Sequence, residues 1–241
     1  MTDPIGFILG SGWQEIANFI KSPKVTTFRE AFGKSTTVFG HQGKVIEGEI
    51  FNKKVVLLLG RFHTYEGYSS SEVVETVRFL HKKGVKKITI TAACGGLNPD
   101  FEVGDVIILT DIITLFCQSP LLTNQFQNLS APFSSDLIKV AKRAARTSHL
   151  DVKTGTHVFV RGPHYESFAD KKVLRLLGAD VVGMSMVPEV IMANFLGMEV
   201  LGLSLVTNLA FVKHSHKEVL AAGKKKEPQL KKLLKELIRS F

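Results

Sequence analysis

The segment 60–68 (GRFHTYEGY) holds the residues best suited to bind an anion. Arg61 carries a planar, permanently charged guanidinium whose geometry matches phosphate oxygens. His63, two residues later, could donate a hydrogen bond to the same anion. The same residue types also fit a structural role, in which Arg61 pairs with a surface carboxylate and the aromatic rings pack. The segment therefore suggests phosphate binding and leaves the structural interpretation open.

Two glycine-containing loops follow predicted strands and would let backbone N–H groups approach a ligand. Residues 10–12 (Gly-Ser-Gly) add the hydroxyl of Ser11, and residues 94–96 (Cys-Gly-Gly) follow a second strand. The third glycine and the acidic residue of a dinucleotide-binding fingerprint are missing, so that class of site is not supported. Cys94 has no His or Asp at a recognisable spacing, which favours packing over a nucleophilic role.

Two further loops carry side chains that could recognise a purine. Tyr165 and Glu166 follow a Gly-Pro turn and would provide a stacking surface with a carboxylate acceptor. Asn208 ends an apolar strand, and its amide can donate and accept at once, as a purine edge requires. The structural alternatives stay open, since Glu166 would also suit a helix N-terminus, Met184 would suit the core and Ser185 would suit a helix cap.

The pair His214 and His216 has a spacing that could bind a metal ion. No third ligand falls at a known spacing, so we expect no metal site. His216 could instead point into a site from the start of a helix.

Alternating apolar and amphipathic segments predict the elements that would position these residues. Strands are expected at 6–10, 44–50, 54–60, 87–93, 105–115, 156–160, 180–183 and 198–207, and helices at 71–83, 135–148, 167–177 and 187–196. Residues 216–240 are expected to form one or two helices, with Pro228 marking a break or a new N-terminus. This pattern predicts an α/β fold with a mixed, largely parallel sheet flanked by helices on both faces. We expect a single domain over residues 1–241. The longest irregular segment, 116–134, suggests a functional or interface loop.

Composition narrows the class of protein. The chain has 241 residues, is 44% hydrophobic and carries a formal net charge of +9. Its two cysteines suggest no disulfide framework, it begins with no signal-peptide pattern, and it has no apolar run of membrane-spanning length, so we expect a cytoplasmic protein. Most lysine clusters fall on predicted helices, which favours solvated faces over nucleic-acid binding.

These segments, in this order, resemble the trimeric purine nucleoside phosphorylases and their relatives, the methylthioadenosine phosphorylases. The matching stretches are LGSG at 9–12, GHQGKV at 40–45, GRFHTYEGY at 60–68, GGLNPDFEVGDV at 95–106, RGPHYES at 161–167, LGADVVGMSMVPEV at 177–190, SLVTN at 204–208 and HKEVLAAG at 216–223. The fold that the resemblance implies is the nucleoside phosphorylase fold.

The resemblance also implies a role for each site residue. The residues that would hold phosphate are Ser11, Arg61, His63, the backbone N–H of Ala93 and Ser185, with His41 on a mobile loop nearby. Ribose would contact Tyr65, Met184 and His216, together with Phe126 from a neighbouring subunit. The base would contact Tyr165, Glu166 and Asn208. Asn208, Glu166 and His63 are the expected catalytic residues.

The implied reaction is the phosphate-dependent cleavage of inosine or guanosine to the free base and ribose 1-phosphate. Inorganic phosphate would be a co-substrate, with no cofactor, metal or covalent enzyme intermediate, and the chain would form a homotrimer with no nucleic-acid or membrane partner. The adenine-preferring branch has Asp where this chain has Asn208. Two alternatives remain: a methylthioadenosine or adenosine phosphorylase, and a catalytically weak nucleoside-binding protein.

Three features depart from the family pattern. Ala92 stands where relatives usually have Asn, which removes a polar side chain near the base. The segment 116–134 lacks the usual Asn-Pro-Leu and Gly-Pro-Asn pattern. The stretch between Asn208 and His216 is short, and it normally covers the base pocket. These departures affect the expected substrate more than the expected family.

Overall fold

The structure is a computed structural model that describes residues 3–38, 40–212 and 216–241. The side chains of His216, Lys217 and Leu220 lie outside the description. The strands are β1 (Ile5–Leu9), β2 (Lys21–Thr27), β3 (Lys44–Ile50), β4 (Lys53–Leu59), β5 (Lys87–Gly96), β6 (Val106–Ile113), β7 (Val152–Phe159), β8 (Val181–Gly183) and β9 (Glu199–Leu209). The α-helices are α1 (Phe28–Phe32), α2 (Ser70–Val73), α3 (Glu75–Lys82), α4 (Ser135–Thr147), α5 (Phe168–Leu176), α6 (Val187–Phe195) and α7 (His216–Ser240).

All of these strands belong to one mixed sheet in the order β2-β3-β4-β1-β5-β8-β7-β6-β9. Because β5 also pairs with β9 along its length, β5, β8, β7, β6 and β9 close into a ring. Parallel pairs join β1 to β4 and β5, β5 to β9, and β7 to β6 and β8. The predicted α/β class and the mixed sheet are confirmed.

Helices cover both faces of the sheet, as predicted. On one face, Val77 of α3 and Val190 of α6 join a core cluster with Ile90 of β5. On the other face, the apolar stripe of α7 and residues of α4 pack against β1 and β9. Strands β1, β4 and β9 therefore bury side chains on both sides, which explains their nearly continuous apolar runs.

Three sequence predictions of local structure are wrong or incomplete. Pro228 does not break the terminal helix but lies inside α7, because Leu230 and the leucines after it are buried against the sheet and outweigh one lost backbone hydrogen bond. The helix expected at 71–83 is divided at Val74 into α2 and α3. Strand β2 was missed because its side chains are mostly exposed and it contains Pro23, as edge strands often do.

None of the helices in the described part of the chain has the length and apolar composition needed to cross a bilayer.

Candidate active site

One cavity opens where the predicted loops meet, beyond the ends of β1, β4, β5, β7, β8 and β9. The predicted site residues that line it are Ser11, His41, Arg61, His63, Tyr65, Ala93, Tyr165, Glu166, Met184, Ser185 and Asn208. Val38, Ala92, Cys94, Gly95, Thr207 and Val219 complete much of its wall. The topology therefore brings residues together from almost the whole length of the chain.

Two predicted residues do not appear in this wall. Phe126 is 90% exposed on the segment 116–134 and does not line the cavity. The side chain of His216 lies outside the described residues, although its backbone begins α7. Val219, one helical turn later, lines the cavity.

Arg61 lies against the cavity with its guanidinium almost wholly committed to the protein. Its Nη2 donates to the carbonyl oxygens of Thr91 at 2.6 Å and Ile8 at 3.4 Å, and its Nη1 donates to Ser185 Oγ at 3.0 Å. Its Nε lies 3.4 Å from Oε1 of Glu189, and both side chains are buried. The carboxylate that pairs with Arg61 is thus a buried one. The Nε hydrogen faces this carboxylate without a hydrogen bond, and one N–H of Nη1 is left for a ligand.

Met184 and Ser185 are aimed into the cavity by a tight turn. Met186 has φ 72° and ψ −50°, and the Val187 N–H donates to the Ser185 carbonyl at 2.9 Å, which together define a γ-turn. A buried non-glycine residue in this conformation is strained, and such strain concentrates at functional sites. The turn places Ser185 directly before the N-terminus of α6. Since Ser185 Oγ accepts from Arg61, its hydroxyl hydrogen is available to an anion.

His63 is fixed by Glu66 and by two stacked rings. Its Nδ1 lies 2.8 Å from Glu66 Oε1, and its ring stacks on His41 and Tyr65 with centroid separations of 5.1 and 4.6 Å. Burial lowers the pKa of His63, and the charge of Arg61 lowers it further, whereas the hydrogen bond to Glu66 acts in the opposite direction. A neutral His63 that donates from Nδ1 keeps a lone pair on Nε2.

His41 is partly buried beside His63, and its pKa is strongly lowered. Burial, with the nearby His63 and Arg61, lowers the pKa of His41 to about 3. Its Nδ1 accepts from the Arg61 backbone N–H at 3.4 Å, so its Nε2 carries the proton and can donate. Gly60 permits this approach, because it has φ 120° and a Cβ there would lie 2.8 Å from the Cβ of His41.

Asn208 and Glu166 stand in the same cavity as these phosphate-binding candidates. Thr207 Oγ1 lies 3.2 Å from the Cys94 carbonyl oxygen and 3.3 Å from Asn208 Oδ1, so its one hydrogen can be donated to either acceptor. Asn208 pairs in register with Gly95, where a Cβ would lie 3.1 Å from Asn208 Nδ2. A register shift between Cys94 and Gly95 marks a β-bulge at this point. The bulge and the missing side chain make room for the amide.

Cys94 and Ala92 behave as packing residues in this wall. The Cys94 thiol donates to the Leu205 carbonyl at 3.3 Å, and burial raises its pKa, which agrees with the packing role expected from the sequence. Ala92 is buried, and its carbonyl accepts from Trp13 Nε1 at 3.4 Å. Across the described ranges, no group of three His, Cys, Asp or Glu side chains could hold a metal ion.

Sequence reasoning assigned no function to three residues that the structure places behind the site. Glu66 supports His63, Glu189 pairs with Arg61, and Thr207 contacts Asn208. A signal existed for Glu189, since a lone carboxylate inside the apolar run of α6 needs a buried partner. Glu66 stands three residues after His63, but which residues it would contact could not be read from that spacing.

The comparisons with known proteins agree with this geometry. The sequence matches the family model of the phosphorylase superfamily over residues 4–239. It is 36% identical over 250 residues to purine nucleoside phosphorylase 1 of Bacillus subtilis, covering 98% of this chain and 92% of that protein. It is 38% identical over 257 residues to the purine nucleoside phosphorylase of Mus musculus, covering 98% and 89%.

The chain belongs to the purine nucleoside phosphorylase family of this superfamily. The solved structure of Schistosoma mansoni purine nucleoside phosphorylase in complex with inosine is also similar, with a TM-score of 0.91 and 33% identity over 99% of this chain and 90% of that one. The resemblance read from the ordered motifs is therefore confirmed, together with the nucleoside phosphorylase fold.

Proposed function

We propose that this chain is a purine nucleoside phosphorylase that cleaves 6-oxopurine ribonucleosides with inorganic phosphate. One observation carries the proposal: a cluster of anion donors and a carboxylate–amide pair suited to a purine edge line a single cavity. Membership of the family supports it. Products would be the free base and ribose 1-phosphate.

The phosphate would bind where Ser11, Arg61, the Ala93 backbone and Ser185 converge. The free N–H of Arg61 and the Ser185 hydroxyl would each donate to one phosphate oxygen. His63, neutral and donating to Glu66, would accept the hydrogen of a protonated phosphate oxygen at Nε2. His41 would donate from Nε2 nearby. The N-terminus of α6 adds a favourable dipole for the anion.

The bond that breaks joins C1′ of the ribose to N9 of the purine. A phosphate oxygen forms the new bond to C1′, and the electron pair of the broken bond moves into the purine ring. Charge therefore develops as a partial cation at C1′ and an anion on the base. The base takes up one proton to leave as the neutral purine, which balances the proton that hydrogen phosphate gives up on becoming ribose 1-phosphate. Bound phosphate stabilises the partial cation, and donors aimed at the base stabilise the anion. Tyr65 and Met184 would position the ribose between them, and His216 would complete that pocket.

Selection of the base rests on Asn208 and Glu166, beside Tyr165. An Asn208 amide can donate to O6 and contact N7 of a 6-oxopurine, and the Glu166 carboxylate would accept from N1–H and from the 2-amino group of guanine. Adenine carries an amino group, a donor, where a 6-oxopurine carries the acceptor O6. An amide that donates to position 6 therefore suits adenine less well. We therefore expect inosine and guanosine to be better substrates than adenosine or methylthioadenosine.

The proposal includes assembly into a homotrimer. Phe126, Phe116 and Leu122 are exposed on the segment 116–134, and Phe168 and Leu176 are exposed on α5. Large exposed apolar side chains on neighbouring elements would form an interface if together they make a contiguous patch. Phe126 would then reach the ribose pocket of a neighbouring subunit. A cytoplasmic location and a reaction without metal or cofactor are further parts of the proposal.

The test is release of free base from inosine, guanosine and adenosine, with and without inorganic phosphate. We expect phosphate-dependent release that is faster from inosine and guanosine. Preferential cleavage of adenosine or methylthioadenosine would favour the other branch of the family. Binding of nucleoside without release would identify a binding protein and contradict the proposed activity.

A further inference from the structure

A buried ion pair lies directly behind the proposed phosphate site. Arg61 and Glu189 have side-chain exposures of 1% and 0%, and Arg61 Nε lies 3.4 Å from Glu189 Oε1. Taking two charges out of water is costly, and buried ion pairs often add little net stability. A role in binding is therefore a better reason for this pair than a role in folding.

The geometry of the pair indicates that Glu189 contributes charge more than orientation. Arg61 is already held by the Thr91 and Ile8 carbonyls at Nη2 and by Ser185 at Nη1. Its Nε makes no hydrogen bond that meets ordinary geometric limits, although the Glu189 carboxylate stands beside it. Removing the carboxylate would thus leave the guanidinium in place but change the charge it presents.

Ser185 and Glu189 both contact the guanidinium of Arg61. The γ-turn at Met186 reverses the chain, so Ser185 contacts Nη1 and Glu189, in the first turn of α6, contacts Nε. Arg61 and the N-terminus of α6 are both attractive to an anion. Burial raises the pKa of Glu189, and the Arg61 charge beside it opposes that shift. In its ionised form Glu189 offsets the attraction for an anion before any phosphate arrives.

We infer that Glu189 is the built-in counter-ion of Arg61 and that it sets phosphate affinity, keeping binding loose enough for phosphate and ribose 1-phosphate to leave. This inference rests on the proposed function. Two unit charges about 10 Å apart, at an effective dielectric constant near 20, interact strongly enough to change a binding constant roughly tenfold. Glu189→Gln keeps the shape and removes the charge, so the Kd of phosphate should fall roughly tenfold.

The experiment titrates inorganic phosphate into the full-length protein by calorimetry and measures KM and kcat for phosphate and inosine in parallel. Glu189→Gln should bind phosphate more tightly, with the inosine KM within about twofold of wild type. Glu199→Gln is the matched control, because it makes the same charge change at an exposed position outside the cavity. It should leave the phosphate Kd unchanged.

An unchanged or raised phosphate Kd in Glu189→Gln would overturn the inference, while phosphorolysis by the wild type would leave the proposed function standing. A wild type that binds no phosphate would overturn both. If Glu189→Gln does not fold, Glu189→Asp decides the question, since it keeps the charge. Its phosphate Kd should stay within about threefold of wild type, and a weakening beyond tenfold would show that shape rather than charge matters.

Discussion

His63 Nδ1 and Glu66 Oε1 lie 2.8 Å apart, within one short turn that also carries Tyr65. The other Glu66 oxygen accepts from the Thr37 backbone N–H at 2.7 Å. Although burial opposes ionisation, the hydrogen bonds from His63 and Thr37 lower the pKa of Glu66. The carboxylate therefore fixes both the tautomer of His63 and the loop that leads to His41.

Glu66→Gln should raise the KM for phosphate about tenfold, because a charge-assisted hydrogen bond to His63 is replaced by a weaker neutral one. The KM for inosine should change by less than about twofold. Steady-state kinetics with each substrate varied in turn would measure both values. Glu75→Gln is the matched control, since Glu75 pairs with Lys34 at 2.8 Å and does not line the cavity. Equal phosphate KM values in both variants would contradict the role of Glu66.

Phe126→Ala should impair nucleoside binding without destabilising the protomer. The Phe126 ring is 90% exposed, so its loss should change the free energy of unfolding by less than about 0.5 kcal/mol. If a neighbouring subunit uses the ring, the KM for inosine should rise roughly tenfold, which is the scale of losing one buried aromatic contact. Val25→Ala, on the edge strand β2 and 52% exposed, should leave the inosine KM unchanged.

Sedimentation of both proteins and the wild type would show whether they form the proposed trimer. A wild-type inosine KM in Phe126→Ala would remove Phe126 from the site.

His157 should make the fold sensitive to acid. Burial, with the Arg61 charge, lowers the pKa of His157 to about 4, and the unfolded chain would titrate near 6.5. Between these values the unfolded state holds a proton that the folded state lacks, so stability falls as the pH drops through this window. The slope attributable to His157 is about 1 kcal/mol per pH unit.

Urea unfolding of wild type and His157→Gln at several pH values between 4 and 7 would isolate this contribution, since His41 and His63 are present in both proteins. The variant should lose less stability on acidification. Parallel curves for the two proteins would show that His157 is not held neutral by the fold.

Asn208→Asp should shift the substrate preference toward adenine. A carboxylate accepts from the 6-amino group of adenosine but can no longer donate to O6 of inosine, so the ratio of kcat/KM for adenosine over inosine should rise at least about tenfold. Asn208→Ala, which removes both functions, should lower both rates. An unchanged ratio in Asn208→Asp would mean that the amide does not select the base.

Much of the site was predictable because its residues follow strand ends. Arg61, Asn208 and Ser185 each come at a point where an apolar run stops, and the sheet brings such points together. The partners behind them were not predictable by the same reasoning. Whether Glu189 meets Arg61 depends on the γ-turn at Met186, and no periodicity in the sequence encodes that turn.

The elements of the fold can also be separated into those that the sequence predicts and those that it does not. The buried strands and amphipathic helices were predictable, because burial leaves a periodic apolar pattern. Strand β2 has mostly exposed side chains, and therefore no such pattern. Pro228 predicted a break from local chemistry, but tertiary packing of α7 overrode it.

The most direct test of the central claim is the identity of the sugar product from inosine. Phosphorus NMR of a reaction with purified protein, inosine and inorganic phosphate would follow the phosphate and ribose 1-phosphate signals, with hypoxanthine measured in the same sample. Our account predicts one ribose 1-phosphate for each hypoxanthine, and no base release when phosphate is omitted. Hypoxanthine accompanied by free ribose, or no hypoxanthine from folded protein, would contradict it.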